Sequence, residues 1–309
     1  KNLRKKSILE EKMPIHKLDD IIELVKSKSK KRIVIACGQD VRTIHVAKKA
    51  IDLKFAEITL VGNQNIIKKV CKQNEIDTNI FEIIHEPDEM QAAKISINII
   101  NDGKGDVLMK GMISTDKLLK CILDKQDGLM IPKAILTHIS VAEIPAYHKL
   151  LIFSDAAIIP TPNINQKIDM TNYIIAAAQK IGIEKPKISL ISFSEKTNPK
   201  NSASVDAAVI SKMSERNQII NADIDGPLAL DISIDSESLR TKGITSCVEG
   251  NADALIFPYL DVANVFFKSL TYFAKAEIAT YIVGTKAPVI ISSRVDSEKS
   301  KLYSMAFTC

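Results

Sequence analysis

The chain has no tryptophan, and aromatic residues make up only 5% of it, which leaves little for stacking on exposed bases. No stretch approaches the roughly 20 consecutive apolar residues that a membrane-spanning helix needs. The five cysteines, Cys37, Cys71, Cys121, Cys247 and Cys309, are scattered and mostly sit within apolar runs. They read as buried free thiols in a reducing compartment rather than as a disulfide set or a Cys-rich metal site. The histidines His16, His45, His85, His138 and His148 are equally isolated, so no metal site is signalled. Glycine and proline number 11 each, which excludes fibrous and low-complexity classes.

What is present is a chain of 309 residues, 46% hydrophobic and 26% charged, enough for one large or two medium globular domains. The lysine-rich start, Lys1 to Lys6, gives way to Glu10 and Glu11 after Ser7, Ile8 and Leu9, too short an apolar run for a signal peptide. A cytoplasmic location is expected, with residues 1–12 read as a possible N-terminal extension ahead of the amphipathic stretch that follows Met13. The net charge of +5 and the basic run Lys26 to Arg32 raise a nucleic-acid or partner-binding reading. That run lies between an amphipathic helix and a strand, where solvated lysines are common, and small anionic ligands account for the balance equally well.

From Lys31 onward, short β-branched runs alternate with helical patterns: strands at Arg32 to Ala36, Ile58 to Val61, Phe81 to His85 and Val107 to Lys110, with helices between them. Helical crossovers return strands in the same direction, so a mostly parallel sheet follows. The rhythm changes at Ala134 to Ile144 and Lys149 to Phe153, whose four-residue separation predicts an antiparallel pair. After Pro160 and Pro162 a second α/β series begins. The terminal strand Val289 to Ser292 and helix Ser297 to Met305 form a lone unit able to rejoin the first sheet. The expected organisation is α/β, with a first domain of residues 13–148 plus 286–309, a second of residues 149–285, and a cleft between them. Ligands of open α/β folds bind at the carboxyl ends of parallel strands, so chemistry is sought in strand-to-helix turns.

One such turn runs from Val107 to Thr115, where an apolar strand ends in Lys110-Gly111 and a helix opens with Ser114-Thr115. An ammonium, two hydroxyls and free backbone N–H groups at a helix start suit a phosphate, although the same residues also serve as an N-cap and a turn glycine. It is not a Walker A loop, because the Gly-x-x-x-x-Gly-Lys spacing is missing. A second turn, Ile290 to Glu298, places Ser293 and Arg294 at a strand end, and the arginine fork matches phosphate or carboxylate oxygens. Asp296 and Ser297 also fit helix caps there. Three polar segments expected as loops complete the set: Glu195 to Lys200, Asp225 to Asp231, and Asp261 to Asn264.

In their order along the chain, LMKGMIST (Leu108 to Thr115), EKTNPK (Glu195 to Lys200), DGPLALD (Asp225 to Asp231), Pro258 through Asn264, FFKSLTYFA (Phe266 to Ala274) and SSRVDSEKSKL (Ser292 to Leu302) resemble the phosphate acetyl/butyryltransferase family, its butyryl branch especially. The resemblance runs from about Met13 to the end. It implies a fold like that of isocitrate and isopropylmalate dehydrogenases and reversible transfer of a short acyl group, butyryl or similar, between coenzyme A and inorganic phosphate. It also implies coenzyme A as substrate with no tightly bound cofactor, and a homodimer or larger homo-oligomer.

By the same resemblance, Ser293 and Arg294 stand on the family's Ser-Arg pair at the reaction centre, and Ser114 and Thr115 on the Ser-Thr near the phosphate. Lys110 and Gly111 are expected to share that phosphate site, and Asp225 and Asn264 the substrate or coenzyme A cleft. In the acetyl branch an Asp six positions beyond the Arg is linked to thiol deprotonation; here that register is Ser300, leaving Asp296 and Glu298 as the nearest carboxylates. An Arg five positions after the Thr is here Lys120, which keeps the charge and loses the fork. No Cys or Ser sits in a nucleophile-elbow pattern, so the thiol is expected to attack the acyl carbonyl directly. A dehydrogenase on a related fold is the main rival, but Gly-x-Gly-x-x-Gly is missing, as is an acidic cluster for a metal-bound hydroxy acid.

Overall fold

The computed structural model describes residues 14–291 and 296–309; the possible extension at residues 1–12 lies outside the described residues. The first half of the chain alternates helix and strand: α1 (Leu18–Lys26), β1 (Lys31–Ala36), α2 (Val41–Asp52), β2 (Ala56–Gly62), α3 (Gln64–Gln73), β3 (Glu82–His85), α4 (Glu89–Asn101), β4 (Val107–Lys110) and α5 (Thr115–Ile122). Helix starts are fixed by short acceptors. Asp40 accepts from the Thr43 N–H, Asp88 from those of Met90 and Gln91, and Ser114 from that of Lys117. Each such cap is worth about 1 kcal/mol. Helices cover both faces of these strands, so Ile33 to Ala36 and Val107 to Met109 are wholly buried, as parallel strands generally are.

The second half continues with β5 (Thr137–Glu143), β6 (Leu151–Ser154), α6 (Ile164–Lys180), β7 (Lys187–Ile191), α7 (Ser202–Glu215), β8 (Asp223–Leu228), α8 (Leu230–Ile234), α9 (Ser236–Thr241), β9 (Ala254–Ile256), α10 (Leu260–Tyr272), β10 (Glu277–Val283), β11 (Val289–Ile290) and α11 (Glu298–Thr308). The strands make one 11-stranded sheet in the order β3-β2-β1-β4-β11-β10-β5-β6-β9-β7-β8. From β3 to β11 all neighbours are parallel, and so are those from β6 to β8. Between these blocks β10 is antiparallel to both β11 and β5, and β5 is antiparallel to β6. The two parallel blocks therefore run in opposite directions. The sheet passes without a break through the region around residue 149, where sequence punctuation suggests a domain boundary.

Two segments differ from the expectation of loops. Asp225-Gly226-Pro227 lies inside β8, at a register shift opposite Ser189 to Ile191 on the sheet's edge. An edge irregularity is where a strand tolerates a residue with no N–H to give. Asp261 to Asn264 falls in the first turn of α10, where an acidic residue is favoured by the helix dipole.

The last helix closes the fold. Every side chain from Lys301 to Thr308 is buried, packed against β10, α2 and α1. The buried Tyr303 hydroxyl donates to Asp19 Oδ1 at 2.6 Å, giving this phenol the partner it needs away from water.

Candidate active site

The chain leaves β1 for β2 and β3 on one side, then returns to place β4 on the other, so the strand order reverses between β1 and β4. Open α/β sheets bind ligands at such a reversal, outside the strands' carboxyl ends. The turn that follows β4 lies there. Gly111 N–H donates to Ala36 O at 2.8 Å and Met112 N–H to Cys37 O at 2.9 Å, pinning the turn to the end of β1. A Cβ on Gly111 would fall 2.3 Å from Cys37 O, so only glycine fits.

Lys110 ends β4 with 6% exposure, and its Nζ donates to Ile113 O at 3.0 Å and Gly111 O at 3.2 Å. A buried ammonium bonded to the turn's own carbonyls holds the loop's shape and sets positive charge beneath it. Ser114 and Thr115 follow at the exposed start of α5, where the N-terminal peptide dipoles add to that charge. This group of ammonium, helix start and hydroxyls suits an anion. Lys120 is exposed farther along α5 and lines a separate cavity of about 280 Å³ between α4 and α5, with Lys94, Asp124 and Asp127.

Strand β11 lies beside β4, with Ile290 level with Met109, so Ile291 leaves the sheet at the same edge as the Lys110 turn. Ser293 and Arg294 lie outside the described residues. The chain is described again at Asp296, which lines a cavity of about 320 Å³. This cavity opens beside β10 where β11 has ended. β11 meets β10 at Val289 and Ile282; farther along β10 the Thr280 N–H donates to Ser304 Oγ of α11 at 2.8 Å. The remaining walls come from α10, through Phe267 and Thr271, and from the first turn of α11, through Ser297 and Ser300. Glu298 points elsewhere, its carboxylate 3.5 Å from His45 Nδ1 of α2.

Behind the cavity, residues with no motif signal meet. His138 on β5 is buried with its ring edge-on to Phe267, and its Nδ1 is 3.4 Å from Ser140 Oγ. Burial pushes its imidazole below the ordinary range, and the carboxylates of Asp155 and Asp296 pull it partly back. Asp155, buried after β6, accepts from the hydroxyl of Thr137 at 2.8 Å and from the N–H groups of Ala157 and Ile158. Asn264 of α10 donates to the neighbouring Ala156 O at 3.0 Å, tying α10 to this corner. Asn264 stands in a segment the sequence marks, but the only trace of His138 and Asp155 there is polarity inside apolar strands, at THIS and IFSD.

Asp225 is not part of this group. It lies on β8, at the opposite edge of the sheet from β3, and its carboxylate accepts from Ser211 Oγ at 3.1 Å and from Gly226 N–H at 2.7 Å. Cys37, the cysteine against the Lys110 turn, is a neutral thiol. Burial, aided by the Glu89 charge, pushes its pKa up to about 11. Among the described residues, no cluster of His, Cys, Asp or Glu is arranged to hold a metal ion, and no helix is long and apolar enough to cross a membrane.

A family model described as "Phosphate acetyl/butaryl transferase" matches residues 17–98 and 86–309. The phosphate butyryltransferase of Clostridium acetobutylicum is 37% identical over 94% of this chain and 97% of its own length. The phosphate acetyltransferase of Thermotoga maritima is 36% identical over 94% and 98%. Among solved structures, a branched-chain phosphotransacylase from Enterococcus faecalis superposes with a TM-score of 0.79 at 31% identity, covering 90% of this chain and 97% of that one.

Proposed function

Because this chain belongs to the phosphate acetyl/butyryltransferase family and is a phosphate acyltransferase, moving acyl groups reversibly between coenzyme A and phosphate, we propose how its residues divide that reaction. Arg294 holds the phosphoryl group and neutralises the leaving phosphate. Ser293 hydrogen-bonds the oxyanion that develops on the acyl carbonyl, or the thiol. Lys110, Gly111, Ser114 and Thr115 form the phosphate cradle, with Lys120 adding positive charge, and Asn264 faces the coenzyme A cleft. Asp225 belongs to this machinery only through its sequence segment.

The thiol attacks the carbonyl directly, with no covalent intermediate. What supports this is the neutral, buried state of Cys37, the cysteine packed against the phosphate turn. A thiol with an ordinary pKa near 8.5 is mostly protonated at neutral pH, so a carboxylate should receive its proton. Asp296 is the carboxylate nearest the Ser-Arg pair in sequence.

The observation that carries this division of roles is the shared edge. The Lys110 turn and the end of β11 leave adjacent parallel strands at their carboxyl ends, with the Asp296 cavity next along. Replacing Arg294 by Ala is expected to lower kcat/KM by about 100-fold or more, as loss of one charge-stabilising donor does, with an unchanged melting temperature. Near-normal turnover in that variant would sink the assignment. We further propose a short acyl chain of butyryl size, a cytoplasmic location and a homo-oligomer of two or more chains. Butyryl- against acetyl-CoA kinetics, fractionation and sedimentation test these in turn.

A further inference from the structure

The cavity beside β10 contains a second carboxylate that no sequence motif marks. Glu277, the first residue of β10, lines it together with Asp296. Its Oε2 accepts from Ser300 Oγ at 3.2 Å and from Ser297 Oγ at 3.4 Å, both on the first turn of α11, directly after the Ser293-Arg294 segment. An oxygen that takes two hydroxyl donors has both its lone pairs engaged and is held in place as an acceptor. Glu277 is half-buried at the mouth of the cavity and so open to a ligand in it. The charged and titratable groups around it are Lys268, Tyr272 and Lys275 on the α10 side, Asp296, Lys301 and Tyr303 on the α11 side, and Glu143, its partner on β5. Asp296 lines the same cavity, and its charge also acts on the buried His138.

We propose that Glu277, rather than Asp296, is the base that takes the thiol proton of coenzyme A. This rests on the acyltransferase reading given above. As the sulfur forms its bond to the acyl carbon, its proton passes to a Glu277 carboxylate oxygen. The bond from that carbon to the phosphoryl oxygen breaks, and its electron pair leaves with phosphate. Glu277 then returns the proton to water; in the reverse direction the protonated carboxyl gives it to the departing thiolate. Ser297 and Ser300 aim the carboxylate from the start of α11.

The test is thioester formation from butyryl phosphate and coenzyme A by wild type, Glu277→Gln, and the double variant Glu277→Gln with Ser300→Asp, between pH 6 and 9. Glutamine keeps an oxygen for both serines but cannot take a proton. It is expected to lower kcat at pH 7 about 100-fold with little change in KM for butyryl phosphate. The deficit should shrink toward pH 9, as free thiolate accumulates without help. In the double variant, an aspartate about one hydrogen bond away from the lost carboxylate should restore at least tenfold of the loss.

Wild-type kcat in Glu277→Gln would overturn the proposal. So would a deficit that is equal at every pH and not rescued by Ser300→Asp, the signature of a brace for α11. A wild-type protein that forms no thioester from these substrates would overturn the acyltransferase reading itself, a result distinct from either.

Discussion

His138 shows how one buried side chain can link the site to stability. Its imidazole has an ordinary pKa of 6.5 and is pushed below it, by burial first, with Asp155 and Asp296 opposing. Above pH 6.5 neither the folded nor the unfolded chain protonates it, and it adds no pH dependence. As pH falls below 6.5, the unfolded chain binds a proton that the folded chain does not, so stability drops until the folded pKa is reached, by at most about 1.4 kcal/mol per pH unit. Urea unfolding of His138→Gln at pH 7.5 and 5.5 is expected to show a smaller acid loss than wild type. An identical loss in both proteins would show that His138 is not the group responsible.

At this scale the sequence is only partly readable. Lys110, Gly111 and Asp296 stand in or beside strand-to-helix turns, and a turn announces itself through its glycine and its cap. His138, Asp155 and Glu277 lie on or at the ends of strands, where nothing local distinguishes a polar residue facing a cavity from one facing solvent. Only the pairing of β10 with β5 and the early end of β11 expose Glu277 to α11.

At the scale of elements, the phosphate turn depends on how closely β4 approaches β1. Gly111 rests against the carbonyl of Cys37, with no room for a Cβ. Gly111→Ala is expected to cost about 1–3 kcal/mol of stability through overpacking, measured by urea unfolding, and to raise KM for phosphate by shifting the start of α5. An alanine variant that matches wild type in both would mean the turn's contact with β1 is not what shapes the anion site. The alternation of β-branched runs with helical periods is sufficient to locate β1 to β4 and their helices within a few residues: β1, β2 and β4 are largely buried and read as continuous apolar runs, while β3, at the sheet's edge, is partly exposed and is marked by the helices on either side of it. The Asp225-Gly226-Pro227 segment misleads for an opposite reason: its turn-forming residues occupy an edge strand, where an irregular register accepts them.

For the whole molecule, the arrangement of the sheet decides where chemistry can occur. Two parallel blocks of opposite direction meet through β10 and β5, and the terminal β11 and α11 return across the chain to lie at that junction. The phosphate turn of one block and the cavity between α10 and α11 thereby come to the same region. Local patterns foretell the parallel blocks but not that one continuous sheet joins them, since the antiparallel pairing of β10 with β5 links residues far apart in sequence.

Acyl transfer between coenzyme A and phosphate is the reaction on which every one of these roles depends. It is tested most directly by thiol release from acetyl-, propionyl-, butyryl- and longer acyl-CoA, with and without inorganic phosphate. Release is expected only with phosphate and is expected to be fastest for a short chain, with neighbouring lengths differing by about 10- to 200-fold. Release at the same rate without phosphate, or none from any acyl-CoA, would contradict it.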